Sequence, residues 1–484
     1  MSTSIKNNFI LNLLNTLTGL LFPLITFPYV SRILFADGIG QIQFFQSIIN
    51  YIALFSALGI PLYAVREIDR VRDDKLKCSK VAIEILLLHL LLTSIGYIIV
   101  GILVVTVTEV KNDVSLFLLL SSHLFFTAIG VAWFYQGVED FKYITIRSLV
   151  VRLLSLIALF LFVKEKSDLF VYATILIAAE VGSNVFNFIR LRKFIDKTIF
   201  RTFDLHPFVH LKPALKIFVL NLVISIYVNL DSVMLGFLKN ETAVGYYTAA
   251  TRLTKAILGI VSSLGAVLLP RFSNLISNNN MEEFKKLTTK AIDFVLCLSL
   301  PMSIGLIFLA SPIIKLFCGE TFEPAILTLQ IVSPIILFIG LSGILGMQIL
   351  YPLGKESIVI LSTLIGAVIN FSLNYWLIPL YAQNGAAFAT VIAEFLVTFS
   401  MIIIGRKYFT YSFLSKRLFC YSFGGILTAI VLYLCMMFIS DSILQILLGV
   451  FFSIVVYYVY LLLCKDYIVL QINNTISNLY HRCL

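Results

Sequence analysis

Tyr246-Tyr-Thr-Ala-Ala-Thr-Arg252-Leu-Thr-Lys255-Ala-Ile-Leu-Gly-Ile-Val-Ser-Ser-Leu-Gly-Ala-Val-Leu-Leu269 is long and apolar enough to cross a bilayer, yet it holds two cations in its first three turns. A transmembrane helix needs about 20 predominantly apolar residues, and an ionised side chain near its middle costs on the order of 3 kcal/mol on insertion scales. Such charges must face something polar. The preceding run, 213–236, carries Asp231, and two others carry Glu180 and Glu394. The pattern points to a protein that encloses a wet or charged path through a membrane.

About fourteen such runs fill most of the 484 residues, the first near 10–30 and the last near 443–464. Hydrophobic residues make up 60% of the chain and charged residues only 13%, with a mean hydropathy of +0.98. No soluble globular domain has this composition. Backbone groups in lipid must be paired within the chain, and the runs are too long for barrel strands of about ten residues. We therefore expect an all-α integral membrane protein with about fourteen transmembrane helices. The segment 10–30 has only Lys6 before it and no small-residue cleavage site, so it reads as a retained span.

Basic residues set the expected orientation, because Lys and Arg are enriched in cytoplasmic loops. With the N-terminus inside, 27 of the 36 Lys and Arg fall on the inner side and 6 on the outer. Both termini are then cytoplasmic. The net charge of +10 is largely this asymmetry; it favours anionic lipid headgroups, and nucleic acid is a poor reading.

Repetition suggests two similar halves. Tyr172-Ala-Thr-Ile-Leu-Ile-Ala-Ala-Glu180 matches Phe388-Ala-Thr-Val-Ile-Ala-Glu394, and Gly40 precedes Arg66 by the same 26 residues that separate Gly245 from Arg271. The two offsets, 216 and 205, pair spans one to six with seven to twelve. The expected organisation is two parallel six-helix lobes, 1–190 and 213–406, joined by a basic linker, 191–212, with two further helices and a tail in 407–484.

The intramembrane charges divide by chemistry. Asp231 and Arg252 reach similar depth in a helical hairpin, so a buried ion pair and a functional site are both open. Arg252 and Lys255 share a helix face. Two cations there exceed what one Asp neutralises, which favours an anionic ligand, and a guanidinium matches phosphate oxygens in a bidentate fork. Glu180 and Glu394 lie mid-helix, as proton carriers or as partners of an Arg elsewhere. Arg147 and Arg152 lie near the start of a run and can snorkel to the interface. Glu84 and Asp293 read as carboxylates near helix N-termini. His89 and His123 fall at different depths, and His206 and His210 lack a third ligand nearby, so the latter two read as surface linker and no metal is expected. The seven scattered Cys look like small buried residues, Trp133 like an interfacial anchor, and nothing indicates a cofactor.

Several short motifs carry a resemblance. Phe27-Pro-Tyr-Val-Ser-Arg-Ile-Leu34 with Gly38 and Gly40, Leu58-Gly-Ile-Pro61, Val65-Arg-Glu-Ile68 and Trp133-Phe-Tyr-Gln-Gly137 open it. Phe141-Lys-Tyr143, Asp231-Ser-Val-Met-Leu-Gly236, Val244-Gly-Tyr-Tyr247 and Leu269-Pro-Arg271 continue it. Together they resemble bacterial O-antigen flippases of the Wzx type, a polysaccharide-transporter branch of the multidrug/oligosaccharidyl-lipid/polysaccharide exporter superfamily. Where that family often has Gly after the Leu of its first motif, this chain has Phe35.

The resemblance implies export of polyprenyl-pyrophosphate-linked oligosaccharide units from the cytoplasmic to the periplasmic leaflet of the inner membrane, by alternating access coupled to an ion gradient. Arg252 and Lys255 would hold the diphosphate, with Arg32 and Arg152 assisting at the two mouths, and Glu180, Asp231 and Glu394 coupling or gating the cycle. The implied partners are the lipid-linked substrate, membrane lipids, and a polysaccharide polymerase and chain-length regulator. A cation-coupled drug antiporter of the same superfamily is the alternative. A membrane enzyme of polysaccharide assembly fits less well, because no catalytic His has an acidic partner at short range in sequence.

Overall fold

The computed structural model describes residues 5–196, 198, 199, 204–409, 411, 415–471 and 473, and among these no strand occurs. Eleven helices among the described residues are long and apolar enough to cross a membrane. They are fewer than the fourteen apolar runs because two, Leu21–Val71 and Glu356–Gly405, are 51 and 50 residues long. At 1.5 Å per residue each would extend roughly 75 Å as a straight rod, over twice the hydrocarbon thickness. Neither is straight. The backbone breaks at Phe35 in the first and at Ala382 in the second. The helix Leu211–Leu238 adds only the shorter apolar stretch Val228–Leu238.

Phe35 stands where the resemblance implies a glycine. Its φ of 57° and ψ of −174° lie in a region that is essentially open to glycine alone, so a Cβ there strains the backbone. Phe35→Gly should therefore raise stability by about 1 kcal/mol, read as a higher midpoint of thermal unfolding in detergent; an unchanged or lower midpoint would show that contacts of the ring, such as Lys166 at 5.8 Å, outweigh the relief.

The chain divides into two compact units, Met1–Gly245 and Tyr246–Leu484. In the first, the helix Ile5–Ala57 is central and packs against Lys75–Thr106, Val114–Ile129, Phe141–Phe162 and Leu211–Leu238. One end of this unit has an aromatic core in which Ile60, Trp133, Phe134, Tyr135 and Ala214 are buried together. Trp133, expected as an interfacial anchor, is thus a core residue with 4% of its surface exposed. In the second unit Met281–Phe308 packs against Ile335–Gly343 and Lys416–Phe438, and the latter packs against Ser442–Leu463.

Within the first unit two glycines make a reciprocal contact. A Cβ on Gly40 would run into the carbonyl oxygen of Glu241, and a Cβ on Gly245 into that of Ala36. These are the glycines that head the two matching 26-residue segments, and Ala36 stands to Gly40 as Glu241 stands to Gly245. The backbones therefore touch as two self-complementary surfaces do, each residue contacting the other's counterpart.

Candidate functional site

The second unit holds Arg252, Lys255 and Glu394. Arg252 is half-buried and Lys255 exposed on the helix Glu241–Ser277. That helix is pinned to Glu356–Gly405 by a 3.1 Å hydrogen bond between Tyr247 Oη and Thr390 Oγ1. Glu394, one turn beyond Thr390, is 7% exposed. Thr398 donates to both the Glu394 and Phe338 carbonyls at 2.9 Å, fixing the turn that carries the carboxylate. Gly366 packs on Ala393 and Val397, which sets the fully buried Asn370 and Asn374 opposite the Thr390–Glu394 turn.

The second unit also holds a largely apolar groove of about 510 Å³ between Met281–Phe308, Lys416–Phe438 and Ser442–Leu463. Phe294, Leu309, Leu432 and Ile454 line it, together with Ile257 and Ile260. The last two lie on the same helix as Arg252 and Lys255. Five residues separate Lys255 from Ile260, roughly 7.5 Å of helix, so two cations stand within two turns of a largely apolar groove.

In the first unit the predicted residues fall in separate places. Arg32 is exposed and donates to the Pro28 carbonyl of its own helix. Arg152 donates from one nitrogen to the Asn15 carbonyl at 2.9 Å, to Asn15 Oδ1 at 3.2 Å and to Thr18 Oγ1 at 2.9 Å. Arg147, which the sequence allowed to snorkel outward, turns inward to the Ser183 carbonyl at 3.0 Å. Asp231 is 7% exposed, and Tyr51 is an electrostatic neighbour. Two residues before Asp231, Asn229 accepts from Asn50 at 3.3 Å. Glu180 lies in a π-helical segment, Ala178–Gly182, with its Oε2 3.9 Å from His123 Nε2.

Four clusters escaped the sequence reading. Glu84 is not at a helix start: its helix begins at Lys75, capped by the Asp74 side chain, and the carboxylate is buried two and a half turns in. There His210 Nε2 lies 3.0 Å from Glu84 Oε2, Tyr63 Oη lies 2.7 Å from His210 Nδ1, and the His206 backbone N–H donates to Glu84 Oε1 at 2.8 Å. His210 is thus a buried tether, with 7% exposure, where a surface linker was expected. Nearby on the surface, the hydrogen bond from Lys80 holds the Asp204 carboxyl below the usual carboxylate range. Among the described residues no group of three metal-ligating side chains is found.

Asp293 likewise sits mid-helix, because Met281–Phe308 starts in a polar stretch before the apolar run. It is fully buried and accepts from Arg417 at 2.6 Å, Tyr411 at 2.7 Å and Tyr467 at 3.3 Å. Arg190 pairs with Asp140 at 2.8 Å and stacks 3.8 Å from the Tyr143 ring centroid. The fourth cluster is the His123–Glu180 pair. Each joins helices far apart in the sequence, a relation that no local pattern encodes. Of the Cys, Cys78, Cys297 and Cys318 are buried and Cys464 is exposed; Cys483 lies outside the described residues.

The Glu84–His210 tether yields a stability prediction. His210→Phe leaves the buried Glu84 carboxylate and Tyr63 hydroxyl short of a partner, which should cost about 2–4 kcal/mol. Glu84→Gln keeps one of the two acceptor oxygens and leaves no buried charge, and should cost less. Thermal unfolding of the purified protein would check the order; equal midpoints for wild type and His210→Phe would remove the tether's importance.

Comparison with known proteins places these features. The family described as polysaccharide biosynthesis protein matches residues 5–276, and the MatE family matches 217–376. A protein of Escherichia coli (strain K12) named as an O-antigen transporter is 27% identical over 80% of this chain and 93% of its own length. The lipid II flippase MurJ of Bacillus subtilis (strain 168) is 28% identical over 40% of this chain and 35% of its own. Among solved structures, lipid II flippase MurJ in an inward closed conformation superposes with a TM-score of 0.72 at 17% identity, covering 95% of this chain and all of that one. A multidrug resistance MATE transporter in an inward-facing conformation gives 0.63 at 17% identity, covering 80% of this chain and 93% of that one. These likenesses fix the all-helical exporter fold, and with more than half of its length matched the chain belongs to the polysaccharide biosynthesis protein family.

Proposed function

We propose that the protein is a flippase for polyprenyl-diphosphate-linked oligosaccharide units, O-antigen or related, which it moves from the cytoplasmic to the outer leaflet of the bacterial inner membrane. The observation that carries this reading is the juxtaposition in the second unit of Arg252 and Lys255 with the apolar groove reached through Ile257 and Ile260. An amphiphile with an anionic head and a long apolar tail has matching chemistry at both ends. The diphosphate meets Arg252 and Lys255, the guanidinium supplying a bidentate fork, while the polyprenyl chain lies in the groove.

In this reading the termini are cytoplasmic, Arg32 and Arg152 assist at the mouths, and Glu180, Asp231 and Glu394 couple or gate the cycle. A polymerase and chain-length regulator act on the exported unit. The relatives named as an O-antigen transporter and as flippases support the substrate class.

The test is made in cells lacking the protein, with surface polysaccharide measured and labelled lipid-linked units assayed in each leaflet. Loss of surface polymer with units trapped on the cytoplasmic side is the expected result. Re-expressed Arg252→Ala should restore little or no export, whereas Arg252→Lys should restore part of it, because a point charge replaces the fork. Normal polymer and leaflet distribution in the deletion strain would instead favour a small-molecule antiporter.

A further inference from the structure

The two C-terminal helices carry a pair of thiols that the substrate reading does not use. Lys416–Phe438 and Ser442–Leu463 run antiparallel across a short turn and pack side by side. They approach closely at Gly424, where an added Cβ would lie 2.6 Å from a ring carbon of Tyr457 and 3.2 Å from one of Tyr460. The rings of Phe423 and Tyr460 meet beside it, with centroids 5.5 Å apart. One turn before Gly424 stands Cys420, and one turn after Tyr460 stands Cys464, so the antiparallel register brings the two sulfurs to the same level. Their neighbours bridge the same two segments: the Tyr421 hydroxyl donates to the Asp466 carboxylate at 2.9 Å.

The thiols meet there. The Cys420 side chain is hydrogen-bonded to that of Cys464, and the Tyr460 hydroxyl to both sulfurs. A disulfide needs Cα atoms within about 7 Å, and the absence of a side chain at Gly424, one turn away, is what lets the two helices come so near. Cys464 is exposed, where Ser442–Leu463 ends and the exposed Lys465 follows, whereas Cys420 is only partly exposed. A reagent in water therefore reaches Cys464 first. The third thiol nearby, Cys297 on Met281–Phe308, is closed off. It is 5% exposed, and the Tyr457 hydroxyl lies 3.8 Å from its sulfur while donating to its carbonyl at 2.9 Å. An accessible thiol beside a second one that can resolve it is the arrangement of redox-responsive cysteines.

We propose that Cys420 and Cys464 are a reversible disulfide site, closed by a peroxide and reopened by a small thiol. The Cys464 sulfur attacks a peroxide oxygen; an S–O bond forms, the O–O bond breaks, and the leaving hydroxide takes the thiol proton to become water. Cys464 is then a sulfenic acid, oxidised by two electrons. The Cys420 sulfur attacks it; an S–S bond forms, the S–O bond breaks, and hydroxide leaves with the Cys420 proton as a second water. One peroxide is thus reduced as two thiols become one disulfide. Two molecules of a small thiol reverse the step by exchange, becoming a disulfide themselves and returning both hydrogens. The bond closes beyond Tyr457 and Leu461, which line the groove from Ser442–Leu463, and so ties two of its three walls together. It fixes the C-terminal hairpin whatever the groove holds, and it stands independently of the flippase reading.

The experiment uses the full chain, purified in detergent under a reducing agent that is then removed, and exposed to hydrogen peroxide. The wild-type protein should lose two alkylatable thiols, and digestion without reduction should yield a peptide joining Cys420 to Cys464; dithiothreitol should restore both thiols. Cys420→Ser should stop at a Cys464 sulfenic acid that a dimedone-type reagent labels. Cys464→Ser should leave Cys420 alkylatable and give no joined peptide. After oxidation, amide exchange in 416–471 should slow several-fold in the wild type and stay unchanged in either Ser variant. Unfolding midpoints of the reduced variants, expected to match the wild type, keep folding and reactivity apart, and the joined peptide in the wild type is decisive without them. No loss of thiols, a joined peptide through Cys297 or Cys435, a link between two copies of the chain, or equal exchange before and after oxidation would each overturn the proposal.

Discussion

Gly40→Ala or Gly245→Ala should each prevent the first unit from assembling as described. Alanine adds only the Cβ, yet at both positions that atom would overlap a backbone carbonyl oxygen. A flexible side chain could swing away; a carbonyl in a helical segment cannot move without dragging its turn. Ordinary overpacking costs about 1–3 kcal/mol, and a backbone obstacle should place these variants at or above the upper end. Because the contact is reciprocal, the two substitutions obstruct the same crossing. Their combination should therefore cost clearly less than the sum of the singles, as coupled sites do. Thermal unfolding midpoints in detergent and the amount of protein recovered in membranes would measure this. A wild-type midpoint in either single variant would show that the helices cross less closely than described.

The second large effect is expected at Asp293. Its carboxylate is fully buried and collects Arg417, Tyr411 and Tyr467, which tie the start of Lys416–Phe438 and the segment after Ser442–Leu463 to the middle of Met281–Phe308. Breaking a buried pair usually costs about 3–5 kcal/mol. Here Arg417 keeps 47% of its side chain in contact with the surroundings, so it can return to water, and we expect about 2–3 kcal/mol for Asp293→Ala. Asp293→Asn retains one acceptor and should lose roughly half as much. The two C-terminal helices should then loosen before the rest of the unit, visible as faster amide exchange in 416–471. Uniform exchange in Asp293→Ala and wild type would contradict the tether.

How much of this was legible in the sequence varied by residue. Composition and run length are enough for an all-helical membrane protein, because lipid leaves the backbone no other way to pair its polar groups across such stretches. The functional reading grew from Arg252 and Lys255, whose spacing alone places them on one helix face. Glu84 and Asp293 were misread for a definite reason. Their helices begin in polar segments, Lys75 onward and Met281 onward, while hydropathy registers only the apolar part, so the apparent helix start was displaced by two to three turns. His210 was misread because a loop-like sequence around Pro207 does not reveal that Glu84 and Tyr63, 126 and 147 residues away, close over it.

The sequence by itself determined the class, the long helices and the presence of charge within them, since these follow from the free energy of moving each side chain between water and lipid. Only the tertiary structure decided which charges meet. Long-range pairs such as Asp293–Arg417, Glu84–His210 and His123–Glu180 are set by which helices neighbour one another and at what depth. Within lipid, apolar side chains give little preference among such arrangements; close backbone approach at Gly40 and Gly245 and the pairing of buried polar groups select among them.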